Sequence, residues 1–167
     1  MRNKIKNFVN ICLDKYSGGE SYFTELDRLI KNDSELLIDF IETTIKESGI
    51  KNVVISGEIG RIYYQLKQNG RLKQDIMLCI LPGGLRFEHQ EDFSPEYCEI
   101  EAEGKDFIFI DDSYYSGKTA RVVQKWMKDH GGKVVKSYVF YDGSYEKRDD
   151  VVSLYRYWDH HKERIYK

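Results

Sequence analysis

Phe107-Ile108-Phe109-Ile110-Asp111-Asp112-Ser113-Tyr114-Tyr115-Ser116-Gly117-Lys118-Thr119-Ala120 is the stretch that decides the fold. Four consecutive apolar residues have no polar face, so they read as a strand buried on both sides, and such strands belong to parallel sheets covered by helices. The two carboxylates that follow sit where that strand meets solvent. A short loop then leads into a helix whose first turn is expected to hold Ser116, Gly117, Lys118 and Thr119. Unpaired N–H groups at a helix start, the positive end of its dipole and two hydroxyls make an anion pocket, and Gly117 lets a phosphate approach the backbone closely.

Working outward, the same alternation recurs. Strands are expected at Lys51 to Ser56, Asp75 to Leu81, Val134 to Tyr141 and Val151 to Trp158, with a short one at Tyr97 to Glu101. Ile62, Tyr63 and Leu66 mark one intervening helix, and Val122, Val123, Trp126 and Met127 mark another. Strands joined by such helices imply right-handed crossovers and a parallel, Rossmann-like α/β sheet, with ligands at the carboxyl ends of its strands.

Before Gly49 the period is helical throughout. Ile5, Phe8, Val9, Cys12 and Leu13 form one stripe, ended by Ser17-Gly18-Gly19; Phe23, Leu26, Leu29 and Ile30 form a second. A third runs from the capping residues Asn32-Asp33-Ser34 through Leu36, Leu37, Phe40, Ile41 and Ile45. These read as core faces without chemistry. The expected organisation is one domain over 1–167, with a helical N-terminal addition (1–50), an α/β core (51–145) and an aromatic, basic tail (146–167).

Composition excludes several classes. With 167 residues the chain buries roughly 70% of its extended surface on folding, enough for a core. Lys+Arg 26 against Asp+Glu 28 leaves a net charge of −2, which gives no general attraction to nucleic acid. No stretch approaches the roughly 18 apolar residues of a membrane span. Cys12, Cys79 and Cys98 are widely spaced with no C-x-x-C, which fits reduced thiols and a cytoplasmic location.

Two patterns compete for residues 107–119. Ser116-Gly117-Lys118-Thr119 ends like a Walker A loop, but Asp112 stands where that pattern needs its first glycine, so a P-loop kinase is the weaker alternative. Four apolar residues, two acidic, three variable, then Ser-Gly-Lys-Thr resembles instead the phosphoribosyl-pyrophosphate (PRPP) signature of type I phosphoribosyltransferases. The resemblance implies that Asp111 and Asp112 hold the ribose hydroxyls, directly or through Mg²⁺, while Tyr115, Ser116, Gly117, Lys118 and Thr119 wrap the 5′-phosphate. It also implies a pyrophosphate loop after the first core strand, here Ser56-Gly57-Glu58-Ile59-Gly60-Arg61, in which Arg61 offers a phosphate fork and Glu58 adds opposing charge.

A flexible catalytic loop would correspond to Leu85 to Pro95, with Arg86 and His89 as phosphate contacts. In the purine-salvage branch an aspartate stands at the place of Tyr115, and a tyrosine with a pKa of about 10 is a poor base at neutral pH. Tyr157 and Trp158 are candidates to sandwich a base or to cover a sheet edge or homodimer contact, and adjacent His160-His161 lacks a third metal ligand at suitable spacing. The resulting expectation is a phosphoribosyltransferase-like protein that takes PRPP or a ribose 5′-phosphate nucleotide with Mg²⁺ and transfers the phosphoribosyl group to a nitrogenous base. The alternative on the same fold is a nucleotide sensor without turnover.

Overall fold

The computed structural model describes residues 3–15, 21–85 and 93–160, with the side chains of 15 and 21–24 left out. Ser17-Gly18-Gly19, Arg86, His89, His161 and the side chain of Phe23 fall outside the described residues. Three helices come first: α1 (Asn3–Lys15), α2 (Ser21–Lys31) and α3 (Ser34–Ser48). The alternating part follows as β1 (Asn52–Ser56), α4 (Gly57–Gln68), β2 (Met77–Leu81), β3 (Tyr97–Cys98), β4 (Asp106–Tyr114), α5 (Lys118–Asp129), β5 (Lys133–Asp142), β6 (Val151–Arg156) and α6 (Tyr157–His160).

Local chemistry sets the boundaries. The Asp33 side chain accepts the N–H of Leu36 at 3.1 Å and caps α3, while Gly49 ends the helix in a left-handed conformation. The apolar run in β4 is buried on both faces, as are β1 and β2 past their first residues.

One six-stranded sheet has the order β3-β2-β1-β4-β5-β6. β1 pairs in parallel with β2 on one side and with β4 on the other, and β4, β5 and β6 continue in parallel. The two-residue edge strand β3 pairs antiparallel in this otherwise parallel sheet and is shorter than the strand expected at Tyr97 to Glu101. Because the chain steps from β1 toward β2 and later across to β4, right-handed crossovers place α4 and α5 on opposite faces. The order therefore reverses at β1 and β4, and the crevice at their carboxyl ends is the expected ligand position.

Two apolar clusters fill the faces. One joins Val54, Cys79, Leu81, Phe107 and Phe109 to Val123, Trp126 and Met127 of α5. The other joins Ile55, Ile80, Ile110 and Phe140 to α4 and to all three N-terminal helices. Phe140 stacks on Phe40 of α3 at 3.9 Å between ring centroids and meets Phe8 of α1 edge-on at 5.8 Å. The Tyr63 hydroxyl donates to the Leu37 carbonyl at 2.7 Å, tying α4 to α3. The N-terminal helices thus cover one face of the sheet as part of its core.

The far edge is fastened differently. Residues 143–150 carry the chain back without a helix so that β6 lies parallel to β5. Arg156 donates to the Ser144 and Tyr145 carbonyls at 2.7 and 2.8 Å, and the Asp142 carboxylate accepts the Ser144 N–H and hydroxyl at 2.8 and 2.6 Å. Trp158 donates its indole N–H to the Gly143 carbonyl and stacks on Tyr145. β6 stops at Arg156 and the short helix α6 begins at the next residue, Tyr157, so the strand does not extend to Trp158. Among the described residues no helix is long and apolar enough to cross a membrane.

Candidate functional site

A cleft of about 520 Å³ opens at the carboxyl ends of β1, β2 and β4. Its floor is the end of β4. The strand does not stop at Ile110: Ser113 pairs with Tyr141 and Tyr114 with Asp142 of β5, so Asp111 and Asp112 project from regular strand rather than from a loop. The loop shrinks to Tyr115, Ser116 and Gly117, and α5 begins at Lys118, later than the sequence suggested.

Gly117 takes φ +77°, which an L side chain rarely adopts, and a Cβ there would stand 2.5 Å from the Tyr114 hydroxyl. Ser116 Oγ accepts the Lys118 N–H at 3.3 Å, and Arg121 grips the Ser116 carbonyl at 3.0 Å. Tyr115, Ser116, Gly117, Lys118 and Thr119 all line the cleft.

The opposite wall is the start of α4. Ser56, Gly57, Glu58 and Ile59 line it, and Ser56 caps the helix without a side-chain bond to its first-turn N–H groups. Gly57, at φ +73°, passes close to Gly83: a Cβ on Gly83 would lie 3.3 Å from the Gly57 Cα. Gly60 and Arg61 are not among the lining residues. A Cβ on Gly60 would meet Ile80 at 2.9 Å, so that glycine serves the packing of α4 on the sheet, and Arg61 forms a salt bridge with Glu96 at 2.9 Å.

Asp27 and Lys31 form the roof, and neither was expected from the sequence. They stand one turn apart on α2, whose Leu26 and Ile30 are buried, so the helix presents its polar side to the cleft. Lys31 Nζ bonds Asp27 at 2.8 Å and Glu58 at 3.0 Å, which answers the charge of Glu58 with a cation from another element. The Asp27 carboxyl in turn shares the cleft with that of Asp112, while its Oδ1 is buried without a hydrogen-bond partner. Burial, then Asp112, pushes Asp27 up to about 6 despite Lys31. Asp112 is also raised, by burial first and then by the neighbouring charge of Asp111. Asp111 itself accepts the Asp112 N–H at 2.9 Å.

The aromatic residues divide. Tyr115 lines the cleft and lies against Gly143 and Tyr141, whereas Tyr157 is buried and Trp158 is held by Gly143 and Tyr145 away from the lining. His160 stacks on Tyr155, and among the described residues no three His, Cys, Asp or Glu side chains are grouped to hold a metal.

This chain has the fold of the type I phosphoribosyltransferases, defined by the sheet order, the switch point between β1 and β4 and the covering helices. The Leishmania donovani UMP synthase structure is similar over 80% of this chain and 30% of its own longer chain, at 16% identity and a TM-score of 0.54. A purine phosphoribosyltransferase from Pyrococcus horikoshii is similar over 74% of this chain and 82% of its own, at 16% identity and a TM-score of 0.49. For a hypoxanthine-guanine phosphoribosyltransferase from Bacillus anthracis the figures are 83%, 81%, 15% and 0.48. No protein-family model matches the chain, and no curated protein matches it. The P-loop reading loses its geometry here, since Asp112 lies within β4 and three residues of loop cannot wrap a nucleotide triphosphate in the Walker manner.

Proposed function

We propose that the cleft binds PRPP or a ribose 5′-phosphate nucleotide together with Mg²⁺, and that the protein transfers a phosphoribosyl group to a nitrogenous base with release of pyrophosphate. The supporting observation is the placement of Asp111 and Asp112 beside the 115–119 loop in one cleft. A 5′-phosphate takes the loop N–H groups and the Ser116 and Thr119 hydroxyls. The ribose hydroxyls then face the two carboxylates. Pyrophosphate lies against the start of α4, where Lys31 offsets Glu58.

The donor set fits a magnesium ion that arrives with its phosphate ligand. Mg²⁺ is usually held by one or two carboxylates with phosphate oxygens and water making up the shell, and Asp111 and Asp112 supply such oxygens. Bound there, the ion would neutralise charge on the leaving pyrophosphate. The protein's own part is to orient the ribose, hold the phosphates on backbone N–H groups and exclude water beneath α2.

A sensor without turnover is the second reading, favoured by the coupling of Asp27 to Asp112, which engages one of the two ribose carboxylates. Calorimetry with PRPP and MgCl₂ tests binding, with heat expected from the wild type and a sharply weakened signal from Asp112→Asn. Absence of heat from both proteins removes the proposal. Pyrophosphate release measured across a panel of purine and pyrimidine bases separates the readings, because sustained turnover with any base eliminates the sensor.

A further inference from the structure

Cys79 and Cys98 stand directly opposite each other on β2 and β3. Backbone bonds fall on either side of them, from the Glu99 N–H to the Leu78 carbonyl at 3.0 Å and from the Glu96 N–H to the Ile80 carbonyl at 2.8 Å. The two cysteines therefore form a non-hydrogen-bonded antiparallel pair, in which the Cα atoms lie about 4.5 Å apart and the side chains share one face. That separation falls inside the range a disulfide spans without backbone movement.

Their environments are unequal. Cys79 is buried against the α5 face, while Cys98 is exposed on the edge strand. From this register and this asymmetry we propose that Cys79 and Cys98 are a reversible dithiol–disulfide site, with Cys98 the attacking thiol, Cys79 the resolving thiol, and a low-molecular-weight disulfide as the oxidant.

The Cys98 thiolate attacks one sulfur of glutathione disulfide, forming a mixed disulfide and releasing one glutathione, which takes up the proton Cys98 gave up. Cys79 then attacks the Cys98 sulfur, passes its proton to the departing thiolate, and closes the Cys79–Cys98 bond. Two protein thiols are oxidised and one disulfide molecule is reduced to two thiols. The titration of the pair agrees in direction: the hydrogen bond from Cys79 draws the Cys98 thiol down to about 6, and the Cys79 thiol is raised by that same bond and by burial. Cys12, buried among the N-terminal helices, has no part in it. The bond would fasten β3 to the strand that continues into Gly83 and Gly84 of the cleft wall.

The experiment incubates the reduced full-length protein with glutathione disulfide, quenches with acid, alkylates after unfolding and maps the peptides by mass spectrometry. The expected product joins the Cys79 and Cys98 peptides, leaves Cys12 alkylated, and reverts with dithiothreitol. Cys98→Ser, a change at an exposed position, should abolish oxidation of Cys79. Free Cys79 and Cys98 after the incubation, or Cys98 left as a persistent mixed disulfide with glutathione, overturns the proposal.

Discussion

The carboxyl of Asp27 on α2 and that of Asp112 at the end of β4 line the same cleft and are electrostatically coupled: burial and then Asp112 push Asp27 up to about 6, and burial and then Asp111 raise Asp112. This coupling joins the N-terminal helices to the floor of the cleft. Its electrostatics make the roof of the site responsive to pH.

The sign follows from linkage. Asp27 is raised from 3.8 to about 6 on folding, so between those values the folded chain holds a proton that the unfolded chain has released. The stabilisation is complete below about pH 4 and is lost as the pH rises through about 6. Asp27→Asn removes this dependence. Urea midpoints should show the variant gaining on the wild type between about pH 4 and about pH 7; a constant difference would mean that folding does not raise Asp27.

Lys31→Met leaves Asp27 and Glu58 without their cation and adds net negative charge to the cleft. A hydrogen bond to a charged group contributes about 1.5–3 kcal/mol when its partner is left behind, so PRPP affinity should fall by about tenfold or more. Stability should change little, because partly exposed ion pairs contribute about 0–1 kcal/mol. Calorimetry and thermal denaturation read the two effects separately.

Gly117→Ala forces a side chain into φ +77° and places its Cβ 2.5 Å from the Tyr114 hydroxyl and 3.0 Å from the Arg121 guanidinium. The backbone conformation alone costs about 1–2 kcal/mol. Adding Tyr114→Phe removes the tightest of these contacts and should restore some stability in urea titrations, leaving the backbone part and the 3.0 Å approaches to the ring Cζ and the Arg121 guanidinium in place.

Far from the cleft, Lys67 is 5% exposed and bonds Glu99 at 2.5 Å and the Ile76 carbonyl. Glu99 also accepts the Leu78 N–H and the Tyr97 hydroxyl; burial opposes its charge, yet these partners hold it below the usual carboxylate range. Lys67→Met should cost about 3–5 kcal/mol, as a buried charge loses its partner. Lys67→Met with Glu99→Gln should cost less than Lys67→Met alone, and a double-mutant cycle measures the difference. In the wild type the contribution of Glu99 is present at neutral pH and is lost as the pH falls below the ordinary glutamate range.

Residues 107–119 were legible because their signal is contiguous: an apolar run, two carboxylates and a glycine that a left-handed turn requires. What extended β4 to Tyr114 was not local. Ser113 and Tyr114 are held by Tyr141 and Asp142, which a one-dimensional reading sees only as the end of another strand. Arg61 lies outside the cleft lining for a related reason, since its guanidinium pairs with Glu96 beside the antiparallel edge strand. Asp27 and Lys31 were invisible as site residues because only the docking of Leu26 and Ile30 turns them toward the cleft. Their i, i+4 spacing was present, but it distinguishes a solvent ion pair from one that faces a cleft only after packing.

In the sheet, Val53 lies opposite Ile108, with α4, β2 and β3 threaded between them along the chain. Central pairings this distant in sequence require large loops to close before they are rewarded, and such chains fold slowly. The cleft is assembled from still more distant parts, α2 and the end of β4. Ligand competence should therefore emerge only at the close of folding, and during synthesis only after the ribosome has released the segment beyond Thr119.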